Sequence, residues 1–261
     1  MLALLNTAID DGALRAVMNF EELQDLLSNW YEVSISALAA QHEAVPQGLN
    51  PIVQDFYRRF GALTLPKSPF AHPSSSNSPL SCQDQVVPLD ALKSEDGYTV
   101  FSIENQGVFV VAASDDPADP NTYAKGDAVF EDQVKEFADV GVPLQECLVT
   151  CVLRETVMSV GDRYRRITPD SLMNDLKVAQ TGTTVRSRYI WSEDYCTFHL
   201  SNDVWFMDWD GMQFSAHRGL WRQGRSTWQE QVIENGSGWT SGPAEPSMMQ
   251  KLERFITGFR K

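Results

Sequence analysis

Four short segments rich in β-branched and aromatic residues lie close together in the last third of the chain, and they restrict its fold more than any other feature. They read TTVRSRYIW, YCTFHL, DVWFMDW and MQFSAH within residues 183–217. Turn residues separate them, among them Asp210-Gly211, a pair that tolerates the positive φ angles of a tight hairpin. Connections this short join antiparallel neighbours, so the sequence predicts a four-stranded meander.

The beginning of the chain shows helical spacing instead. Asn19 and Glu22 have the form of a capping box ahead of apolar residues at helical intervals. The segment LNPIVQDFYRRFG predicts a second helix, with Asn50 as its cap and Pro51 in its first turn. Gly61 is placed to end that helix in a left-handed conformation. Helices are therefore expected before strands.

The middle of the chain contains both patterns. Helices are predicted over Val129–Val140 and from Pro143 through LQECLVTCVLRETVM. YTVFSI and VFVVAAS predict strands on either side of Glu104-Asn105-Gln106-Gly107, where the amides and the glycine favour a turn. Residues 67–81 are rich in Ser and Pro and predict a long surface loop.

These elements predict an α+β fold, with N-terminal helices packed on a largely antiparallel sheet and a C-terminal β-meander. A short helix over Met248–Phe259 is expected to close the chain. A chain of 261 residues allows one large domain or two small ones.

The charge of the chain is strongly acidic and unevenly distributed. The formal net charge of the 261 residues is −14. Residues 1–150 hold 7 Lys and Arg against 22 Asp and Glu, whereas residues 151–261 hold 14 against 13. Such a field repels nucleic acid and anionic membranes, and it attracts a basic protein. Acidic surfaces also serve solubility alone, so the charge leaves both interpretations open.

Several features of the sequence favour a cytoplasmic protein. No run of 18 apolar residues is present, which predicts no transmembrane helix. The start, MLALLNTAIDD, lacks the basic region of a secretory signal. Four cysteines in a chain of this length do not indicate a disulfide framework.

The cysteines are predicted to be buried apolar residues and not metal ligands. Cys147 and Cys151 lie one helical turn apart, a spacing that metal ligands also use. Cys196 and His199 cannot complete the set, because residues three apart in a strand point to opposite faces. An enzyme that uses Cys or His in a cleft stays open as an alternative, although no G-x-S-x-G motif supports it.

An acidic loop invites a calcium interpretation that its spacing does not support. Asp115, Asp116, Asp119 and Asp127 are interrupted by prolines and lack the alternating pattern of a calcium loop. We therefore expect a solvated acidic loop with no metal and no cofactor.

Two further groups of residues have predicted environments. Trp205, Met207 and Trp209 share one face of a strand and are expected in the core. A group of arginines near the change in charge balance is expected on a solvated helix end and linker; it comprises Arg154, Arg163, Arg165 and Arg166.

Three segments together resemble one family. They are LNPIVQDFYRRFG, ENQGVFVVA and DDPADPNTYAKGD, within residues 45–160. In order and spacing they are similar to the SUKH superfamily, whose middle segment reads as an ENQGV strand followed by a DPPV-Y loop. Here the run from Asp119 to Tyr123 lacks the second proline and the valine of that loop. The resemblance implies that residues 1–261 form a single α+β domain that binds a toxin, often a nuclease or a deaminase, and neutralises it by direct contact.

The resemblance and the charge together predict an immunity-type protein that binds a basic toxin and performs no chemistry of its own. The residues expected to contact the toxin are Asp115, Asp116, Asp119, Glu104 and Gln106. The alternative is a regulatory or scaffold module with no toxin partner. No nucleic acid or membrane is expected as a partner in either case.

Overall fold

The structure is a computed structural model, and it describes residues 18–36, 45–65, 78–81, 84–126, 134–159, 169–190, 195–209 and 212–218. The chain divides after Arg225, and all described residues belong to the part before that point. The predicted closing helix, most of the Ser/Pro-rich loop, Asp127 and the last three arginines named above lie outside the described residues.

The α-helices in the described residues have the following bounds: α1 Phe20–Tyr31, α2 Pro51–Phe60, α3 Leu144–Ser159 and α4 Pro169–Ala179. The predicted capping box of α1 is confirmed, as is the Asn50 cap of α2. The prediction for Gly61 is wrong, because this residue has φ −53° and the chain continues as a 3-10 turn, Gly61–Thr64. Burial of Leu63 and its neighbours in the core favours that continuation.

The first sheet contains six antiparallel strands in the order β1-β3-β4-β5-β6, with β2 also paired to β3. Their bounds are β1 Asp84–Val86, β2 Lys93–Glu95, β3 Tyr98–Glu104, β4 Phe109–Ser114, β5 Asn121–Gly126 and β6 Val134–Pro143. The predicted strands on either side of Glu104–Gly107 are confirmed as β3 and β4.

The predicted helix over Val129–Val140 is wrong, because its described part belongs to strand β6. The pairing of β5 with β6 shifts register twice, once between Asn121 and Tyr123 and once between Ala124 and Gly126. Each bulge interrupts the two-residue alternation of the strand. The apolar residues of this segment are therefore spaced as in a helix, although pairing with β5 makes the segment a strand.

The second sheet is the predicted meander. Its strands are β7 Thr183–Arg188, β8 Tyr195–Leu200, β9 Val204–Trp209 and β10 Met212–His217, and each pairs in antiparallel fashion with the next. The α+β class and the C-terminal meander are therefore confirmed.

Helix α3 lies between the two sheets and is buried on nearly all sides. It contacts β5 and β6 of the first sheet and β7, β9 and β10 of the second. Only Gln145 interrupts the burial of this helix from Leu144 to Val157, and a helix buried on every side belongs in a core. The core face of the second sheet includes Trp205, whose ring lies 4.4 Å from that of Trp30 in α1. The predicted core position of Trp205 is confirmed.

A cluster of charged side chains is buried where α3 meets β1. The guanidinium of Arg154 forms a short ion pair with Asp84, and the Glu155 carboxylate accepts from the Asp84 backbone N–H at 3.0 Å. The ring of Tyr189 lies 4.2 Å from the guanidinium carbon. The prediction that Arg154 is solvated is wrong: its side chain is only 2% exposed, because two buried carboxylates compensate its charge.

None of the helices that the structure describes has the length and apolar character needed to cross a membrane.

Candidate functional site

One buried side chain, that of Asn50, forms hydrogen bonds to the backbone of the acidic loop between β4 and β5, residues 115–120. Asn50 caps α2 by accepting from the Ile52 backbone N–H at 3.0 Å. Its amide group donates to the backbone carbonyls of Asp116 and Asp119, at 3.2 and 2.9 Å. Asn50 is 1% exposed, so these bonds lie away from water. The residue that begins the helix therefore also fixes the loop.

The three carboxylates of this loop accept hydrogen bonds from neutral donors. Asp115 accepts from the hydroxyls of Ser94 and Thr99, at 2.5 and 2.7 Å. Asp116 and Asp119 accept from backbone N–H groups two residues further on, as in Asx turns. No Lys or Arg of the described residues pairs with any of the three. Within the described residues, their negative charge is therefore oriented without being neutralised.

A second acidic turn lies beside this loop. The Asp115 backbone N–H donates to the Gly97 carbonyl at 2.8 Å, which places the β2–β3 turn next to residues 115–120. That turn carries the exposed side chains of Glu95 and Asp96. We call Glu95, Asp96, Asp115, Asp116 and Asp119 together the acidic end of the first sheet.

Glu104 and Gln106 lie at the other end of the same strands. The Glu104 carboxylate accepts from the backbone N–H of Gln106 at 2.7 Å, and Gly107 adopts φ +71°. The predicted turn is present, but the carboxylate of Glu104, and not a side-chain amide, accepts from its freed backbone N–H groups. Strand β4, which separates this turn from the acidic end, has six residues and spans roughly 20 Å. The structure thus groups three of the five predicted contact residues and places the other two apart from them.

The outward face of the first sheet carries a cluster of three half-buried rings. Tyr98 on β3 lies 4.8 Å from Tyr123 on β5 and 4.7 Å from Phe137 on β6, measured between ring centroids. Ala112 on β4 lies opposite Tyr123 in the register, and its small side chain leaves room for the rings above it. We call Tyr98, Tyr123 and Phe137 the ring cluster.

A lysine of the chain lies on this cluster. The Lys125 ammonium is 5.2 Å from the centroid of Phe137 and forms a short ion pair with Glu95 of the acidic end. The hydrogen bond to Glu95 raises the pKa of Lys125, although burial opposes it. A cation therefore already lies between a ring and a carboxylate here.

Tyr123 connects the ring cluster to the acidic loop. Its hydroxyl donates to Asp119 at 2.7 Å. This hydrogen bond, together with partial burial and the charges of Asp119 and Asp139, raises the pKa of Tyr123 to about 12. The phenol therefore keeps its proton to a higher pH than an ordinary tyrosine, and its hydrogen bond orients Asp119.

The ring cluster, Lys125 and Glu95 were not predicted as site residues. Tyr98 and Val100 are two residues apart and share one face of β3, and Tyr123 and Lys125 likewise share one face of β5. This spacing is a sequence signal that Tyr98 and Tyr123 occupy outward positions. Phe137 carries no such signal, because the bulges of β6 hide its strand character.

The thiols and imidazoles do not assemble into a nucleophile–base pair in the described part of the chain. Cys147, Cys151 and Cys196 are buried, as predicted, and burial raises the pKa of Cys151. That shift disfavours the thiolate, which is the nucleophilic form. Cys196 lies opposite Trp209 in the register and His199 opposite Phe206, on the other face.

One serine, histidine and aspartate do meet, but in a different arrangement from a hydrolase triad. Ser215 donates to Asp175 Oδ2 at 2.7 Å, and His217 Nε2 lies 2.9 Å from the same oxygen. A triad needs the imidazole between the hydroxyl and the carboxylate, so that it can accept the serine proton. Here both groups bond to the carboxylate, which joins α4 to β10.

Among the residues that the structure describes, no three His, Cys, Asp or Glu side chains come together in a way that could hold a metal ion. In comparisons with family models, curated proteins and solved structures, nothing matches this chain.

Proposed function

We propose that this chain is a cytoplasmic, immunity-type protein that binds a basic toxin by direct contact, without chemistry of its own. The acidic end and the ring cluster form the contact surface in this proposal. A nuclease or a deaminase is the class of toxin that the SUKH resemblance implies. Such enzymes handle polyanions with basic surfaces, which an acidic protein complements.

The proposal is carried by the fixed geometry of residues 115–120 together with carboxylates that pair with no Lys or Arg in the described part of the chain. Asn50 holds the backbone of the loop, and neutral donors hold its carboxylates. A preorganised surface loses little conformational entropy on binding, and its charges are available to Lys and Arg of a partner. In this proposal, Glu104 and Gln106 contact the partner only if the partner extends along the whole sheet.

The test is a charge-removal variant with Asp115→Asn, Asp116→Asn and Asp119→Asn, which keeps an acceptor oxygen at every position. The basic partner is identified by capture from the native host and mass spectrometry. We expect the variant to bind it roughly 10- to 100-fold more weakly at low salt, mainly through slower association. Stopped-flow association rates at several NaCl concentrations measure this.

The matched control removes the same number of charges elsewhere, with Glu21→Gln, Asp25→Asn and Asp203→Asn. These side chains are exposed on α1 and before β9, away from the loop. Equal affinities for the two triple variants, or an affinity that does not depend on salt, would contradict the electrostatic form of the proposal.

The alternative function is a regulatory or scaffold module. The ring cluster suits a regulatory partner as well as a toxin, because half-buried aromatic residues contribute to many interfaces. A toxin gene beside this one favours immunity. Protection of cells that express that toxin, lost in the loop variant, separates the two functions.

A further inference from the structure

The position of Lys125 suggests how the partner engages this surface. Lys125 reaches from β5 to Glu95 on β2 and lies over Phe137 on the way. Its side chain is 25% exposed and that of Glu95 is 53% exposed, so the ion pair lies at the surface and solvent can compete with it. Exposed ion pairs of this kind contribute little to stability and exchange readily.

The surroundings of Lys125 are those of a cation site. The ring of Phe137 offers its face, Glu95 offers a carboxylate, and Tyr98 packs beside Phe137. A guanidinium stacks on such rings and binds a carboxylate through two N–H groups, which an ammonium cannot do. An arginine therefore fits the same groups better than Lys125 does.

We propose that Lys125 occupies, in the free protein, the position that an arginine of the basic partner takes in the complex. This inference rests on the proposed function and adds the chemistry of one contact to it. On binding, the partner's arginine displaces Lys125 from Glu95 and stacks on Phe137. The ammonium then turns toward solvent, which its long side chain allows without a change in the backbone.

Nona-arginine is the probe, and Lys125→Met is the variant. Methionine keeps an unbranched apolar side chain near the ring and removes the competing charge. We expect nona-arginine to bind the variant about three- to tenfold more tightly than the wild type at fixed salt. A change of this size corresponds to the binding free energy of one exposed cation–π contact or ion pair. The gain should be smaller for nona-lysine, because an ammonium does not stack.

Lys177→Met is the control, since it changes the net charge equally at an exposed position on α4. We expect less than a twofold effect there. Equal tightening by the two variants, or none by Lys125→Met, overturns the inference while the proposed function stands. If the wild type does not bind nona-arginine at all, both the inference and the electrostatic form of the proposed function fail. Thermal unfolding of each variant shows whether its fold is intact.

Discussion

Asn50 performs two tasks with the two halves of one amide. Its oxygen caps α2, and its NH2 group holds the carbonyls of the acidic loop. Serine or aspartate would cap the helix as well, because a cap needs only an acceptor. The donor function explains why an amide stands here, and this function is not visible in the sequence.

Substitutions at Asn50 separate the two tasks. Asn50→Ala loses both, so we expect it to lower the free energy of unfolding by about 2–3 kcal/mol, the sum of a cap and buried hydrogen bonds. Asn50→Asp keeps the cap but faces the carbonyls with an acceptor, so it should be at least as destabilising. Urea unfolding measures both. Wild-type stability of Asn50→Asp would show that the loop contacts contribute nothing.

His199 gives the stability of the protein a pH dependence. Burial lowers its pKa, against an opposing effect of Asp208. Because the pKa of His199 is lower in the folded state, its contribution to stability is fully present when the pH is above the pKa of the unfolded state, about 6.5. That contribution is lost as the pH falls through the folded pKa.

The variant His199→Gln tests this assignment, because glutamine retains a polar group near Thr184. Between pH 7.5 and 5, we expect the wild type to lose more unfolding free energy than His199→Gln loses. Parallel stability curves for the two proteins would rule out His199 as the titrating group.

At the scale of elements, the sequence correctly predicted the helices and strands whose spacing of apolar residues is not disturbed by bulges. α1, α2, α3 and the four strands of the meander agree with it, because caps, apolar stripes and short turns are local. Strand β6 disagrees, because its two bulges are set by pairing with β5. The same error hid Phe137 and with it the ring cluster, so only the acidic part of the site could be predicted.

The contact of α3 with β1 depends on a buried ion pair. Loss of this ion pair is expected to lower the free energy of unfolding strongly. Arg154→Met removes the buried cation that pairs with Asp84 in the core, so we expect a loss of about 3–5 kcal/mol in the free energy of unfolding. Arg58→Met is the control, since Arg58 is exposed on α2 and bonds only to Gln54 among the described residues. It should change stability by less than about 0.5 kcal/mol. Similar losses for the two variants would contradict this account.

At the scale of the whole molecule, the charge of −14 has opposite consequences for the free protein and for the proposed complex with a basic partner. Self-repulsion weakens the folded state, and the same field attracts a basic partner. We therefore expect added NaCl to raise the melting temperature by a few degrees and to slow association with the partner. Calorimetry and association rates measure the two effects, and changes of the same sign would contradict this account.

The position of α3 between both sheets means that neither sheet can be separated from the other. A fragment limited to residues 45–160 would end with the helix that the meander covers, and one side of its apolar surface would face water. Such a piece should precipitate when expressed alone. Any shortened version of this protein must therefore retain β7–β10, although none of the predicted contact residues lies there.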